Sequence, residues 1–207
     1  MIAQKECEAI LFDMDGVFIL SGGSQYRAWT WWCRIHGLPP EPFLVSHGMT
    51  GVDKIRMFAP SHLDPAAEAA RVTNYEVQDT EGVIAAPGAE LVPTLSLPFS
   101  LVTSAAGRLA RARLAAAGLP IPRHLISAES VARAKPDPEP YLLGAAALGV
   151  DPSKCVVVED AAAGVKAGRA AGMHVAALTT TVAQEDLSEA DLIFPSLMGF
   201  LSWLSES

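Results

Sequence analysis

The chain has 207 residues, of which 50% are hydrophobic, and its formal net charge is −8 with a pI near 5.1. This length allows one large domain or two small ones with a sizeable core, and the acidic balance argues against nucleic acid or an anionic membrane as a partner. The three cysteines are scattered and suggest neither a disulfide framework nor a metal-ligand cluster, as is usual in a reducing compartment. Because no signal-like segment and no apolar run of transmembrane length is evident, we expect a cytoplasmic protein. We also expect a monomer or a weak homo-oligomer.

The first predicted element is a buried strand that ends in two acidic residues. The apolar run Ala9-Ile10-Leu11 continues into Phe12-Asp13-Met14-Asp15, and Gly16 follows. Alternate residues of an extended segment point the same way, so Asp13 and Asp15 can face one site. Two carboxylates that face each other repel, and such a pair usually needs a cation or a shared proton. The segment therefore predicts a charged site at the end of this strand.

The next stretch, residues 18–84, shows helical periodicity and no convincing strand. Tyr26, Trp29 and Cys33 form one apolar stripe at helical spacing, and Gly37 is a suitable end for that helix. A second helix is predicted from Pro65 to about Gln78. The pattern of this segment therefore predicts an all-helical insert after the first strand.

From Pro87 onward, short apolar strands alternate with helices. Strands are predicted near 98–103, 124–127, 155–158, 173–178 and 191–194. This alternation is typical of right-handed βαβ units and a parallel sheet. We therefore predict an α/β fold, a Rossmann-like parallel sheet core with an all-helical cap inserted after the first strand. The core would comprise residues 1–17 and 85–207, and the cap residues 18–84.

Polar residues follow or neighbour three further predicted strands of this sheet. Ser104 follows an apolar run and leads into a helix-like stretch, Lys135 lies just before a helix for which Asp137 is a suitable N-cap, and Glu159-Asp160 ends the apolar run Val156–Val158. Ligands of parallel α/β sheets bind at the carboxyl ends of the strands. We therefore expect these residues to converge with Asp13 and Asp15 on one crevice.

In this order and spacing, the residues resemble the four signature motifs of the haloacid dehalogenase-like hydrolase superfamily, in the subfamily with a helical cap. The segment from Glu159 to Gly168 is similar to the superfamily's helix of small residues that follows two acids. A looser resemblance links Ser46–Gly48, Thr80-Glu81-Gly82 and Pro87-Gly88-Ala89 to its sugar-phosphate phosphatases and the β-phosphoglucomutase-like group. The resemblance implies a phosphoric monoester hydrolase.

The resemblance also implies roles for the acidic residues. Asp13 would be the nucleophile that forms an aspartyl-phosphate, and Asp15 would protonate the leaving oxygen and later deprotonate water. Mg²⁺ would bind Asp13, Asp160 and the backbone carbonyl of Asp15, with Glu159 acting through water. Mg²⁺ is therefore the expected cofactor.

The remaining expected contacts concern the phosphoryl group and the rest of the substrate. Ser104, expected at a helix amino end, and Lys135 would bind phosphate oxygens. In the cap, His47, Lys54 and Arg56 are candidates for contact with the substrate. We expect a small-molecule phosphate ester, a sugar or polyol phosphate, because a cap of this size can close over a small molecule.

One departure and two alternatives accompany this interpretation. Relatives commonly carry Asp-Ser where this chain has Leu20-Ser21, which puts substrate choice in doubt more than catalysis. A phosphomutase of the β-phosphoglucomutase type shares the core. Such mutases are expected to carry an arginine shortly after the cap glycine that corresponds to Gly48, where this chain has Met49-Thr50-Gly51. A non-catalytic, metal-binding interaction protein with the same fold is the other alternative, although all the signature acids and the lysine are intact.

Overall fold

The computed structural model describes residues 7–205 and contains the predicted parallel sheet. In chain order its strands are β1 (Ala9–Phe12), β2 (Ile19–Leu20), β3 (Ile84–Ala85), β4 (Phe99–Val102), β5 (Leu125–Ile126), β6 (Cys155–Glu159), β7 (His174–Leu178) and β8 (Leu192–Phe194). Six of them form one sheet in the order β5-β4-β1-β6-β7-β8, and every pairing in it is parallel. The predicted α/β fold class is thus confirmed.

The helices divide between the sheet and the insert that follows β1. In chain order they are α1 (Gly22–His36), α2 (Glu41–Val45), α3 (Gly51–Phe58), α4 (Pro65–Gln78), α5 (Gly107–Ala116), α6 (Glu139–Leu148), α7 (Ala162–Ala170) and α8 (Leu197–Ser205). Within residues 7–205, no helix is both long and apolar enough to cross a membrane.

The central strand β1 is buried on both faces, as expected for a strand of a parallel sheet covered by helices. Ile10 and Phe12 pack into a cluster that includes apolar residues of α5 and α8. Ala9 and Leu11 point the other way and pack into a cluster that includes residues of α6 and α7. The strand register places Phe12 beside both Leu101 and Val158. The residues that follow β1, β4 and β6 therefore lie side by side at one edge of the sheet.

Helices α1–α4 and their loops, which we refer to as the cap, have an apolar cluster of their own. Trp29, Trp32, Phe43, Ile55 and Val72 form its buried centre. The Trp29 and Phe43 rings stack with their centroids 5.3 Å apart. This cluster is separate from the two that flank the sheet, so the cap is a packed unit that can cover the carboxyl ends of the strands.

Local features of the cap partly follow the sequence predictions. Helix α4 has the predicted bounds, and α1 ends at His36, with Gly37 as its C-cap at a positive φ of 65°. The expectation of no strand in residues 18–84 was wrong, because Ile19–Leu20 pairs with Ile84–Ala85 as a short antiparallel ribbon at the base of the cap. Tyr26 does not join the buried stripe of α1, because 58% of it is exposed.

The start of α6 is shifted by one residue from its predicted position. The helix begins at Glu139 with Pro138 before it, whereas the sequence predicted Asp137 as the N-cap and Pro138 as the first helical residue. The Asp137 carboxylate still accepts a hydrogen bond from the Glu139 amide, at 2.9 Å. The capping interaction is therefore retained although the assigned boundary differs.

Candidate active site

The centre of the site is a buried lysine between two carboxylates. Lys135 Nζ donates to Asp13 Oδ1 at 2.5 Å, to Glu159 Oε1 at 2.7 Å and to the Val102 carbonyl oxygen at 3.1 Å. Asp13 follows β1, Glu159 ends β6, and Val102 ends β4. The neighbouring strands β1 and β6 therefore bring two anions together at their carboxyl ends, and Lys135, which precedes α6, contacts both, as the sequence predicted.

Burial dominates the electrostatics of this centre. It raises the pKa of Asp13 to about 8, with the negative charges of Glu159 and Asp15 adding to the effect and Lys135 opposing it. Burial alone would lower the pKa of Lys135, but the two adjacent carboxylates outweigh it and raise that pKa. Lys135 therefore remains positively charged, but its single charge does not offset the burial of the acids, whose ionised forms would need a further cation.

A third acid completes a group that could hold a metal ion. Oxygen atoms of Asp13, Glu159 and Asp160 lie within 4.8 Å of one another, and all three side chains are buried. Burial raises the pKa of Asp160, and the charges of Glu159 and Asp13 raise it further. A divalent cation would relieve this repulsion, and an all-oxygen donor set is what Mg²⁺ prefers. The residues present therefore fit the expected metal.

The hydrogen bonds of Glu159 indicate that it also anchors the lysine. Its Oε1 accepts from Lys135 and from the Tyr141 hydroxyl at 2.7 Å. Its Oε2 accepts from the backbone amides of Asp160 at 2.9 Å and Ala161 at 3.1 Å. Both oxygens of Glu159 are thus held by donors of the protein, whereas the Asp160 carboxylate accepts a hydrogen bond from the Thr181 hydroxyl.

Two glycines leave the space that these carboxylates occupy. A Cβ added at Gly16, which has a positive φ of 84°, would lie 1.8 Å from Asp160 Oδ2. A Cβ added at Gly164 would lie 1.6 Å from Glu159 Oε1. Real Cβ atoms do not approach other atoms this closely, so larger residues at either position would displace the acids.

The Asp15 side chain lies outside the metal-type cluster. Its Oδ1 accepts from the Ser21 hydroxyl at 2.6 Å and from Arg113 Nη1 at 2.7 Å. The other arm of Arg113 donates to Glu76 Oε1 in the cap, also at 2.7 Å. The sequence analysis missed Arg113 and Glu76, because a charged residue within a helix is ordinarily assigned to the solvent-exposed face.

Ser104 lies at the site but not at the amino end of a helix. Helix α5 begins at Gly107 with Ala106 as its N-cap, so Ser104 lies two residues before the N-cap position. The Ser104 hydroxyl donates to the Gly48 carbonyl oxygen at 2.6 Å. Ser104 therefore links the strand end to the cap in this conformation.

A cavity of about 500 Å³ lies between the strand ends and the cap. Asp13, Asp15, Ser104 and Asp160 line it from the sheet side. This volume is within the range of sites for small molecules. Four of the six sequence-predicted residues of the core thus open onto one covered space, whereas Lys135 and Glu159 are not among its lining residues.

The three predicted cap residues differ in their access to this cavity. His47 and Lys54 line it, and burial lowers the pKa of both, that of Lys54 to about 8. Lys54 Nζ donates to the Phe43 carbonyl oxygen at 3.0 Å and lies 5.2 Å from the centroid of the Trp29 ring. Arg56 is not among the lining residues, since its side chain is 66% exposed and pairs with Asp53 at 2.8 Å.

The parallel α/β sheet, with a cap over a buried Asp–Lys–acid cluster, places the candidate site of this protein at the carboxyl ends of the strands, where ligands of such sheets bind. The family model for haloacid dehalogenase-like hydrolases matches residues 7–172. The chain therefore belongs to the haloacid dehalogenase-like hydrolase family, and the resemblance recognised in the sequence is confirmed.

Individual relatives agree with this assignment. The chain is 45% identical over 198 residues to hexitol phosphatase A of Escherichia coli strain K12, covering 92% of each protein. It is 34% identical over 200 residues to glycerol-1-phosphate phosphohydrolase 2 of Saccharomyces cerevisiae, covering 87% of this chain and 78% of the relative. These relatives are phosphatases, so the expected enzyme class, a phosphoric monoester hydrolase, is confirmed.

A solved structure of a hydrolase from Pseudomonas syringae has the same fold. It superimposes with a TM-score of 0.85 at 24% identity, covering 96% of this chain and 98% of that one. At this identity the likeness concerns the fold alone, and it extends over both the sheet and the cap.

Proposed function

We propose that this protein is a Mg²⁺-dependent phosphatase that hydrolyses a sugar or polyol phosphate through an aspartyl-phosphate intermediate. The observation that carries the proposal is the pairing of Asp13 with Lys135 beside Asp160 beneath a capped cavity. A nucleophilic carboxylate, a fixed cation and a metal-type acid cluster are the components that phosphoryl transfer requires.

In the first step, a carboxylate oxygen of Asp13 forms a bond to phosphorus while the ester P–O bond breaks. Asp15 donates its proton to the leaving alcohol oxygen. Lys135 and Ser104 hold the phosphoryl oxygens after each exchanges a present acceptor for phosphate, which for Ser104 is the Gly48 carbonyl oxygen. In the second step, Asp15 takes a proton from water, whose oxygen bonds to phosphorus and releases Asp13 with inorganic phosphate. Asp15 has then regained its proton, so the cycle is balanced.

Asp13, Asp160 and Glu159 with the backbone carbonyl of Asp15 would hold the metal. When bound, Mg²⁺ would neutralise part of the charge on the acids and on the phosphoryl group. Since Glu159 already accepts from Lys135, Tyr141 and two amides, we propose that it acts on the metal through water rather than as a direct ligand.

The substrate is a small-molecule phosphate ester, and the cavity and the relatives support a polyol or sugar phosphate. The relatives named above act on hexitol and glycerol phosphates by their names, and the cavity of about 500 Å³ is suited to molecules of this size. His47 and Lys54 would donate hydrogen bonds to hydroxyl groups of the substrate.

The role of Arg56 stays a prediction, since its guanidinium would have to move to reach the cavity. The cytoplasmic location and the monomeric or weakly homo-oligomeric state also stay predictions.

A phosphate-release screen over polyol, sugar and nucleotide monophosphates, with and without Mg²⁺, tests this function. We expect release only with Mg²⁺, fastest for a polyol or sugar phosphate, and none from the Asp13→Asn variant. Preferred hydrolysis of nucleotides would contradict the substrate class. Transfer of the phosphoryl group to another position of the sugar, without release of phosphate, would favour the mutase alternative. Absence of both hydrolysis and transfer would favour the non-catalytic alternative.

A further inference from the structure

Arg113 connects the core to the cap through two buried ion pairs. It lies on α5, is only 3% exposed, and donates through Nη1 to Asp15 and through Nη2 to Glu76, each at 2.7 Å. Asp15 belongs to the loop after β1, whereas Glu76 belongs to α4 of the cap. One guanidinium therefore joins the expected acid–base residue of the core to the body that covers the substrate.

The contacts of Asp15 leave one of its oxygens available for proton transfer. Oδ1 accepts from both Arg113 and Ser21, and Ser21 directly precedes α1 of the cap. These two donors hold Oδ1, and within residues 7–205 no hydrogen bond to Oδ2 is found, so Oδ2 is the oxygen that can carry a proton toward the leaving group. The orientation of Asp15 thus depends on a core arginine and on the entry into the cap.

Glu76 makes the position of Arg113 depend on the cap. Its side chain is buried, and burial raises its pKa while the charge of Arg113 opposes the rise. A buried ion pair that loses one partner leaves an uncompensated charge. If the cap moves away from the core, Arg113 loses this second anchor, and its hold on Asp15 becomes less directional.

We propose that Arg113 is a positioning residue that makes the orientation of Asp15 conditional on the seating of the cap through Glu76. Asp15 is then aligned for proton transfer when the cavity is covered and less so when it is open. Such an arrangement couples the exclusion of water to the chemical step. The inference rests on the proposed function, since it takes Asp15 as the proton donor.

Leaving-group dependence separates this role from a purely structural one. A sugar or polyol alkoxide is a poor leaving group and needs a proton from Asp15, whereas the nitrophenolate of p-nitrophenyl phosphate departs without one. The value of kcat/KM reports only the steps up to release of the leaving group. A misplaced Asp15 should therefore lower kcat/KM for the alkyl ester far more than for the aryl ester.

The variants are Arg113→Lys, which keeps the charge but cannot bridge both acids, and Glu76→Gln, which keeps the shape of the side chain. Arg108→Gln is the matched control, because Arg108 also reaches from α5 to the cap, at Asn74 and the Ala70 carbonyl oxygen, without touching Asp15. We expect Arg113→Lys to lower kcat/KM for the alkyl ester about tenfold or more relative to the aryl ester. Glu76→Gln should act in the same direction, and Arg108→Gln should leave this ratio unchanged.

Equal losses for both esters, or the same ratio in Arg113→Lys and Arg108→Gln, would overturn the proposal. If Arg113→Lys does not fold, Glu76→Gln decides alone, and an unchanged ratio there overturns it. Asp15→Asn, measured in parallel, distinguishes a failure of the proposed function from a failure of the role assigned to Arg113. Full alkyl-ester activity of Asp15→Asn contradicts the proposed mechanism itself, whereas a selective loss in Asp15→Asn without one in the Arg113 and Glu76 variants contradicts only the role of Arg113.

Discussion

Replacement of Lys135 by methionine tests the centre of the site most directly. Methionine approximates the length of the lysine side chain but removes the charge that contacts Asp13 and Glu159. Two buried carboxylates then face each other without a cation between them. The phosphoryl group also loses the positive charge that is expected to hold its oxygens.

The expected loss of activity follows from the number and the setting of these contacts. Removing one preformed donor from a water-excluded site costs about 2–4 kcal/mol in the transition state. At 1.36 kcal/mol per factor of ten, kcat/KM should fall by roughly 30- to 900-fold. Because Lys135 acts on the phosphoryl group, which all esters share, the factor should be the same for polyol, sugar and aryl phosphates.

Stability should fall as well. Breaking a buried ion pair by removing one partner typically costs about 3–5 kcal/mol. Part of this loss should be avoided by proton uptake, since the pKa of Asp13 is already raised to about 8 by burial. Added Mg²⁺ should restore part of the remainder by supplying a cation to the acids.

The assay is steady-state phosphate release with three esters, with thermal unfolding as a check that the variant is folded. Lys154→Met is the control, because Lys154 is 52% exposed in its side chain and pairs with Glu8 far from the strand-end cluster. It should change neither activity nor its substrate ranking. A loss confined to one ester would instead place Lys135 in substrate recognition, and unchanged turnover by folded Lys135→Met protein would refute the mechanism.

Three further predictions follow from the same geometry. Asp13→Asn should fold normally yet release no phosphate, since an amide cannot act as the nucleophile; steady turnover by the folded variant, checked by circular dichroism, would contradict the covalent step. Chelation should abolish activity, and added Mg²⁺ should restore it. Calorimetric titration should show weaker Mg²⁺ binding for Asp160→Ala than for Glu159→Ala. The reverse order would make Glu159 the direct ligand. Lys54→Met should raise the unfolding free energy at pH 7 by up to about 3 kcal/mol, because charging Lys54 in the folded state is opposed by burial, which lowers its pKa to about 8. This gain in unfolding free energy over the wild type should shrink between pH 8 and 10.5, because Lys54 loses its charge first in the folded and then in the unfolded wild-type protein. Lys54→Met should also lose activity toward polyol phosphates while keeping activity toward an aryl phosphate.

Most of the sheet could be predicted from the sequence because its strands are short apolar runs separated by helices. The central strand is buried on both faces, and its hydrophobic pattern alone identifies it. Asp13, Lys135 and Glu159 could be placed at one edge because parallel strands bring their carboxyl ends together. Periodicity and topology were sufficient for these residues.

The partners of individual side chains were decided by tertiary packing. The sequence did not indicate that Arg113 would be buried, because its Asp15 and Glu76 partners lie 98 and 37 residues away along the chain. Tyr141 likewise gave no local sign that its hydroxyl would reach Glu159. Hydrophobic periodicity reports how each segment is buried, whereas a hydrogen bond between distant segments depends on how the cap and the sheet pack together. The sequence by itself therefore determined the fold and the central acids with their lysine, and only the tertiary structure decided which groups orient them, since that depends on distances of a few ångströms between elements.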